Sequence, residues 1–487
     1  MPLILPGNVA SATASTTYDV DNSCRINRAD SPSLTRDQSA SPTHDDKGTL
    51  SFWFKIGNLS SGDGHYFFSV FTDGDNRIQM YLQSDNTLKL LQKTGASTVL
   101  NLVTTRVFRD PGAWYHLVIA CDSSQGTAAN RIKIYINGVQ ETSFSTETYL
   151  DQNEDIQLVK GTEVCLGAYN KASPSDFLDA YLAEMVLIDG TQNAVTDFGE
   201  FDEDSPTIWK PIDVSGLTFG TNGFYLDFED SADLGDDESG NTNDFTETNL
   251  DATDQASDSP TNNFCTLNPL WVSSNTYSEG NTEVAGGGAH RPNIPTMAVS
   301  SGKWYMEGKL IAGNTNKWFI GYADQEFYDA QQNQTGNLNW GGGNTAGGTN
   351  QINVSVNNGW SNQLNLYPNS AVTSFFSSSS VADDIIGLAV DLDDQKAWWS
   401  QNGVWRNGSA AESTTFNASY PDTTQLDAGR NYYIGTGSED STWSVNYGNP
   451  SFAISSGNAD ANGYGNMEYA IPDGYYCLCT KNLAEFG

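Results

Sequence analysis

Short stretches in which apolar and polar residues alternate are the feature that most constrains how this chain can fold. In residues 49–56 every second position is a leucine, phenylalanine or isoleucine, and several later stretches repeat the pattern. A period of two places these side chains on one face of a β-strand, whereas a helix requires a period near 3.6. Turn pairs such as Asn137-Gly138 follow the stretches, as expected where antiparallel strands connect. The pattern therefore predicts an all-β protein.

The length of the chain and the distribution of these stretches predict two domains. At 487 residues the chain is too long for one ordinary core, and two strand-rich blocks flank an acidic, turn-rich stretch. Two antiparallel β-sandwiches account for the two blocks. We place an N-terminal arm at 1–18, the first sandwich at 19–190, an acidic connector partly packed on it at 191–264, the second sandwich at 265–455 and a closing segment at 456–487.

The charge of the chain excludes one class of partner, and its apolar content excludes another. There are 60 acidic residues against 23 basic ones, a formal net charge of −37. No basic patch stands out in the sequence, so we expect no nucleic-acid binding. No apolar run is long enough to cross a bilayer, so we expect no membrane insertion. The six cysteines are scattered without zinc-ligand spacing, which indicates free thiols in a chain made in a reducing cytoplasm.

The first strand-rich block resembles a known group of sandwich domains. Residues 112–119 read GAWYHLVI, and residues 132–139 read IKIYINGV. These motifs resemble those of the laminin-G-like and concanavalin-A-like lectin/glucanase domains, and the resemblance covers roughly residues 20–190. It implies an antiparallel jelly roll, often with a calcium ion at its rim.

The second block resembles a SPRY domain, a different β-sandwich. Four motifs occur in the order of that family: GKWYME at 302–307, IGLAVDLD at 386–393, WWSQNGVW at 398–405 and WSVNYG at 443–448. The resemblance covers about residues 265–455. It implies a second sandwich that recognises a partner through loops at one end.

Four tryptophans in the second block are the predicted ligand-binding residues. Trp340 and Trp360 lie in a long polar loop, and Trp399 and Trp405 lie near a hairpin tip. Exposed aromatic rings flanked by Asn and Gly suit the faces of sugars or a pocket in a partner protein. Because side chains alternate along a strand, only one of Trp398 and Trp399 is expected to face inward. The alternative is that all of these rings pack in the sandwich core.

Two oxygen-rich turns are the predicted metal sites. Asp73, Asp75 and Asn76 form one turn, and Asp236 and Asp244 belong to the other. Carboxylate and amide oxygens are the ligands that Ca²⁺ prefers, and the resemblance of the first block implies a calcium ion. The alternative is an ordinary turn, in which the aspartates accept hydrogen bonds from the nearby backbone.

The sequence lacks the motifs of the enzymes that such folds can carry. Glucanases of the concanavalin-like fold place acidic residues alternately along one strand, and neither E-x-D-x-E nor E-x-D-x-x-E occurs here. H-E-x-x-H and C-x-x-C are absent as well. His116 lies in an apolar strand pattern and is interpreted as a packed strand residue. We therefore expect a binding protein and not an enzyme.

Two further segments indicate a biological setting. Residues 259–270 and 471–483 resemble segments in structural proteins of tailed phages and aquatic viruses, where both kinds of sandwich occur in one chain. The resemblance implies a virion surface protein, such as a tail-fibre, receptor-binding or capsid-decorating component, made in the host cytoplasm and released by lysis. Its expected partners are a host-surface glycan or protein, other virion proteins and further copies of itself, with a trimer favoured. The alternatives are a secreted or surface carbohydrate-binding protein of a bacterium and a glycan hydrolase.

Overall fold

Strands make up nearly all of the regular structure, which confirms the predicted all-β fold. The chain divides into two units, Ala14–Asn262 and Asn263–Gly487. In the described part of the chain, no helix is long and apolar enough to cross a bilayer. The computed structural model describes residues 18–487 except 39, 60–63, 171–173, 272–274, 288–290, 314–317, 326–350, 357–362, 367–369, 373–375, 377–380, 409–410, 425 and 439.

The described residues of the first unit form strands β1 to β18, a short α-helix and three 3-10 helices. The strands are β1 Ser23–Ile26, β2 Ser33–Asp37, β3 Lys47–Ile56, β4 His65–Asp73, β5 Asn76–Leu82, β6 Thr87–Thr94, β7 Ser97–Val107, β8 Trp114–Asp122, β9 Ile132–Ile136, β10 Val139–Glu141, β11 Phe144–Thr148, β12 Glu163–Leu166, β13 Ala180–Asp189, β14 Gly199–Phe201, β15 Trp209–Pro211, β16 Phe224–Leu226, β17 Thr246–Thr248 and β18 Gln255–Ala256. The helices are α1 at Ala128–Arg131 and the 3-10 helices at Arg28–Asp30, Val195–Asp197 and Ala252–Asp254.

These strands form two large antiparallel sheets with a shared core. Sheet 1 has the order β10-β9-β8-β3-β13-β1-β18, with β16 also paired to β13. Sheet 2 has the order β11-β7-β6-β5-β4-β12-β2-β17, and β14 and β15 form a separate pair. Neighbours that are far apart in sequence, such as β3 and β13, show that the chain crosses repeatedly between the sheets. This is the arrangement of a jelly-roll sandwich.

The core between sheets 1 and 2 follows from the alternation in the sequence. On β3, Phe52 and Phe54 are fully buried in this core, together with Phe67 from sheet 2. Trp53, between them, points to the other face of sheet 1 and packs there against Trp209. Each fully buried side chain of this kind contributes about 1.5–3 kcal/mol through removal of apolar surface from water.

The outer face of sheet 1 is covered by the chain that follows β13. Val118, Val186 and Ile188 lie on this face and pack against Phe198 and Phe219. Sheet 1 is therefore buried on both faces. Its outer face offers no open surface to a ligand at these positions.

The stretch predicted as an acidic connector supplies strands to both sheets of the first unit. β16 pairs with β13, β18 pairs with β1, and β17 pairs with β2. The first unit accordingly extends to Asn262. These strands are not apparent in the sequence, because each strand is only two or three residues long and lies among acidic turns.

A buried ion pair fastens the end of this unit to sheet 1. Lys55 Nζ on β3 lies 2.6 Å from Asp258 Oδ2, and the two side chains are 1% and 0% exposed. Asp258 Oδ1 also accepts a hydrogen bond from Trp114 Nε1 at 2.9 Å. A buried charge is tolerated only when it is paired, so the two charges hold the segment around Asp258 in place.

The second unit contains strands β19 to β31, a 3-10 helix at Glu279–Asn281 and the C-terminal helix α2 at Thr480–Phe486. The strands are β19 Thr276–Ser278, β20 Glu283–Ala285, β21 Arg291–Asn293, β22 Lys303–Ala312, β23 Trp318–Asp324, β24 Gln351–Val356, β25 Gln363–Leu366, β26 Ser370–Val372, β27 Ile385–Asp391, β28 Lys396–Gln401, β29 Val404–Trp405, β30 Tyr432–Ser438 and β31 Thr442–Asn446.

The second unit is also a sandwich of two antiparallel sheets. Sheet 3 has the order β19-β20-β31-β22-β27-β28-β29, and sheet 4 has the order β21-β30-β23-β24-β25-β26. Trp399 and Trp443 from sheet 3 pack in one core with Tyr322 and Tyr432 from sheet 4. Large aromatic side chains thus fill the space between the sheets.

The closing segment, 456–487, packs on this second sandwich. Glu307 on β22 accepts hydrogen bonds from the backbone N–H of Glu468 at 2.9 Å and of Tyr469 at 2.8 Å. Farther along, Tyr476 forms a bridge with Trp304 on the same strand. The segment is therefore part of the second unit.

The six cysteines are all buried, and none forms a disulfide. Burial raises the pKa of Cys121 and of Cys165 to about 12. These thiols stay protonated at neutral pH and act as small apolar side chains.

Candidate functional site

Two of the four predicted ligand-binding tryptophans are in the core, so the prediction that they face a ligand is wrong. Trp399 is 0% exposed and Trp405 is 4% exposed. Trp399 stacks on Tyr322, and its Nε1 donates a hydrogen bond to the backbone oxygen of Ile320 at 3.1 Å. Trp405 packs against Phe416. Trp340 and Trp360 lie outside the described residues.

Of Trp398 and Trp399, only Trp399 faces the core between the sheets, as alternation predicts, but the other ring is buried as well. The two indoles do point to opposite faces of β28, yet Trp398 is 1% exposed. Its face of the sheet is covered by Phe416 and by Tyr475 from the closing segment. Both faces of this strand are buried, so alternation does not expose either ring.

In the first predicted calcium turn, the Asp73 carboxylate accepts hydrogen bonds from within the turn. Asp73 Oδ1 accepts hydrogen bonds from the backbone N–H of Asp75 at 2.8 Å and of Asn76 at 2.9 Å, and from Asn76 Nδ2 at 3.0 Å. These hydrogen bonds lower the pKa of Asp73. The geometry is that of an ordinary turn in which an aspartate caps the following backbone.

The second predicted calcium turn brings acidic side chains close together. Partial burial and the charges of Asp244 and Asp233 raise the pKa of Asp236, and Asp244 Oδ1 accepts a hydrogen bond from the backbone N–H of Asp237 at 3.2 Å. Within the described residues, no group of three or more His, Cys, Asp or Glu side chains is arranged to hold a metal ion. Calcium binding stays a prediction.

The outer face of sheet 2 is the surface of the first unit that carries an array of half-buried polar and aromatic side chains. On β5 and β6, Ile78, Met80, Leu88 and Leu90 point into the core. Because side chains alternate, their neighbours point outward. These outward residues are Arg77, Gln79 and Tyr81 on β5 and Lys89, Leu91 and Lys93 on β6.

Three tyrosines on this outer face stack on one another; we name them the tyrosine stack. The ring centroids of Tyr66 and Tyr81 are 4.3 Å apart with an interplanar angle of 12°, and those of Tyr66 and Tyr169 are 5.2 Å apart at 18°. A register shift between Tyr66 and Phe68 on β4 creates the arrangement. This bulge lets Phe67 and Phe68 both face the core while Tyr66 faces outward.

Hydrogen bonds hold the loop that carries Tyr169 against β4. Ser69 Oγ donates to the backbone oxygen of Ala168 at 3.0 Å and accepts from the backbone N–H of Asn170 at 2.9 Å. The backbone of Tyr169 also pairs with that of Ser175. The third ring of the stack is thus placed by its own backbone as well as by ring contact.

A polar groove lies on the same outer face. Its volume is about 400 Å³, and it is lined by Thr35, Arg36, Asp37, Glu163, Thr242, Asn243, Asp244 and Thr246. Asp37 on β2 and Glu163 on β12 are directly opposite each other in the sheet. Carboxylates, hydroxyls and an amide together can accept from and donate to a ligand rich in hydroxyl groups.

The groove and the tyrosine stack lie within reach of one ligand. β12, which carries Glu163, pairs directly with β4, where Glu163 is opposite Phe71. Tyr66 is five residues before Phe71 on β4, which corresponds to about 16 Å along a strand. We name the groove and the stack together the outer-face site.

The Ser51 and His116 side chains form a hydrogen-bonded pair that is not activated for catalysis. Trp209 Nε1 can only donate, so His116 Nδ1 accepts its hydrogen bond at 2.9 Å. The ring proton therefore sits on Nε2, which lies 2.9 Å from Ser51 Oγ and donates to it. Burial lowers the pKa of His116 to about 3. A histidine that donates to the serine cannot remove its proton.

Sequence reasoning missed the tyrosine stack, although one signal was present. Tyr66 and Tyr81 occupy outward positions in strands whose inward positions are phenylalanine, isoleucine and methionine. A large aromatic residue on the solvent side of an alternating strand is a candidate contact residue. Tyr169 carries no such signal, because it lies in a loop after β12.

The comparisons with known proteins bear on the first unit most directly. Residues 30–194 match a family model described as the concanavalin A-like lectin/glucanases superfamily. No curated protein matches the chain.

Among solved structures, one match is native heptameric SAP-like pentraxin from Limulus polyphemus, with 19% identity over 36% of this chain and 80% of that chain and a TM-score of 0.28. Another is the SPRY domain of human HERC1, with 13% identity over 37% of this chain and 96% of that chain and a TM-score of 0.26. A third is domain 4 of AbnA, an extracellular arabinanase from Geobacillus stearothermophilus, with 19% identity over 32% of this chain and 66% of that chain and a TM-score of 0.22.

Proposed function

We propose that this protein binds carbohydrate, without chemical turnover, at the outer-face site of its first unit. The observation that carries the proposal is a stack of three tyrosines beside a polar groove of about 400 Å³ on one sheet face. A sugar ring presents an apolar face, which suits an aromatic ring, and a rim of hydroxyls, which suits carboxylates and amides. The family match of residues 30–194 to lectin- and glucanase-type domains supports the same class of ligand.

A direct test measures saccharide binding by the full chain on a glycan array, followed by isothermal titration with each saccharide that is bound. Tyr81→Ala removes one face of the stack, and Glu163→Gln removes one groove carboxylate. Stacking of an aromatic ring is worth about 0.5–1.5 kcal/mol, so Tyr81→Ala should weaken binding by about two- to twelve-fold. Tyr420→Ala is the matched control, because Tyr420 is 46% exposed and belongs to the second unit. Equal affinity in all variants would contradict the proposal.

One observation favours glycoside hydrolysis as a second candidate function. Asp37 and Glu163 are carboxylates directly opposite each other within the groove, and glycosidases act with a pair of carboxylates. Hydrolysis of a bound oligosaccharide that is lost in Glu163→Gln would establish this alternative. Binding that persists without product release favours the non-catalytic proposal.

The proposal extends to a virion surface, because segments 259–270 and 471–483 resemble parts of viral structural proteins. The corresponding partners are a host-surface glycan or protein, other virion proteins and further copies of the chain in a closed oligomer such as a trimer. Proteomics and cryo-electron microscopy of particles test this setting, and absence of the chain from particles would refute it. Titration with Ca²⁺ before and after chelation tests the predicted calcium.

A further inference from the structure

Three cations lie on the outer face of sheet 2: Lys89 beside the tyrosine stack, and Arg77 and Lys93 four residues, or about 13 Å, farther along their strands. In the β5–β6 pairing, Arg77 is directly opposite Lys93, and Tyr81 is directly opposite Lys89. Side chains that are directly opposite in antiparallel strands have Cβ atoms about 4.5–5.5 Å apart. We name Arg77, Lys89 and Lys93 the basic cluster.

The cluster is unexpected in this protein. Like charges directly opposite each other repel. The chain has 60 acidic and 23 basic residues, so carboxylates that could neutralise the cluster are plentiful. Within the described residues, Lys89 and Lys93 nevertheless take part in no ion pair. Arg77 donates to the backbone oxygen of Gly74 and to Gln79 Oε1 at 3.4 Å, which fixes it beside the turn at 73–76.

The position of Lys89 connects the cluster to the proposed ligand. Its Nζ lies 5.9 Å from the centroid of the Tyr81 ring, and Tyr81 stacks on Tyr66. A sugar placed on this ring would hold its substituents near the ammonium group. A carboxylate or a sulfate is the substituent whose charge complements the cluster.

We propose that the basic cluster binds the anionic substituents, carboxylate or sulfate, of a saccharide that lies on the tyrosine stack and extends along β5 and β6. The inference rests on the proposed function and adds the class of ligand to it.

The charge of the rest of the molecule limits this ligand further. A net charge of −37 repels a long polyanion. The groove at the other side of the face is itself acidic, through Asp37 and Glu163. Glu163 and Lys93 are three strands apart, which is about 14 Å. The ligand is therefore a short oligosaccharide, neutral where it meets the groove and anionic where it meets β5 and β6.

The experiment compares matched saccharides on the full chain. A glycan array carries each oligosaccharide in a neutral, a carboxylated and a singly sulfated form, together with a highly sulfated polysaccharide. Wild type is compared with the double variant Lys89→Met/Lys93→Met, which keeps the length of both stems. Lys133→Met is the control, because Lys133 is a half-buried lysine on β9 of sheet 1. Unfolding by urea confirms that each variant is folded.

Wild type and the control should prefer an anionic form by about tenfold over its neutral counterpart, as expected for a charge-assisted hydrogen bond. The double variant, which keeps only Arg77 of the cluster, should lose most of this preference, and the carboxylated and sulfated arms identify which anion is preferred. Binding of neutral and anionic forms with equal affinity by wild type would overturn this inference and leave the proposed function standing. Preference for the highly sulfated polysaccharide would overturn the limit to short ligands. No binding of any saccharide would refute the proposed function itself.

Discussion

The carboxyl group of Glu307 should make the second unit less stable as the pH rises. Glu307 is 0% exposed, and it accepts hydrogen bonds from the backbone N–H groups of Glu468 and Tyr469 and from the Tyr305 hydroxyl at 3.1 Å. Burial outweighs these hydrogen bonds and raises its pKa from 4.5 to about 7. The folded state thus binds the proton more tightly than the unfolded state. The stabilisation that comes from the raised pKa of Glu307 is complete below pH 4.5 and is lost as the pH rises through 7.

The magnitude follows from the size of the shift. A pKa difference of one unit corresponds to about 1.4 kcal/mol, so the full effect is about 3 kcal/mol, of which about 2.5 falls between pH 5 and 8.5. Glu307→Gln removes the ionisation. The difference in unfolding free energy between variant and wild type should therefore increase by about 2–3 kcal/mol, in favour of the variant, from pH 5 to pH 8.5. A constant loss of hydrogen bonding in the variant cancels from this comparison.

Equilibrium urea unfolding at each pH, followed by a hydrogen-exchange pulse at one fixed pH, measures this difference. Peptides from β22 and β31 then report the second unit separately from the first. Glu485→Gln is the control, because Glu485 is an exposed glutamate of the same unit; its effect should stay within about 0.5 kcal/mol at both pH values. A Glu307→Gln effect that is equally large at pH 5 and pH 8.5 would refute the reasoning.

Substitutions at Asp258 and Trp399 and a titration of His116 have defined outcomes. Asp258→Ala leaves the Lys55 ammonium buried without the carboxylate at 2.6 Å, and should destabilise the first unit by about 3–5 kcal/mol in urea unfolding, whereas Lys55→Met combined with Asp258→Ala should recover part of that loss. Trp399→Ala removes a fully buried indole and should cost about 3–5 kcal/mol in the second unit, without changing the affinity of the first unit for saccharide in isothermal titration. His116, whose pKa burial lowers to about 3, should show no imidazole titration by NMR between pH 5 and pH 8. Because its folded pKa is depressed, its contribution to stability should decrease as the pH falls below about 6.5.

Much of the fold was predictable from local patterns. The Asn137-Gly138 turn joins β9 to β10 as expected, with positive φ angles of 47° and 76° that these two residue types adopt readily. The short strands β16, β17 and β18 were not predictable, because two or three residues carry no periodicity and only pairing with distant strands defines them.

The candidate site was harder to predict, because it depends on register. Arg77 and Lys93 are 16 positions apart in the sequence, and only the β5–β6 pairing places them opposite each other. A patch formed in this way is invisible to a search for consecutive basic residues, which is why the sequence indicated no basic patch. The tryptophans failed as a guide for the opposite reason: Trp399 is prominent in sequence, but sheet 4 covers one face of β28, and the segments that carry Phe416 and Tyr475 cover the other.

The two sheets of the first unit differ in how accessible their outer faces are. β13 in the middle of sheet 1 is buried at all of its positions, from Ala180 to Asp189, because the core covers one face and the chain after β13 covers the other. β6 in sheet 2 alternates between the buried residues Leu88, Leu90 and Gln92 and the half-buried residues Lys89, Leu91 and Lys93. If the lysine side of such a strand were packed against apolar residues, the ammonium groups would be buried without a partner. The free energy of burying an unpaired charge is too high for this arrangement. The charges on β5 and β6 therefore keep this part of the outer face of sheet 2 accessible, and the tyrosine stack lies within that accessible area.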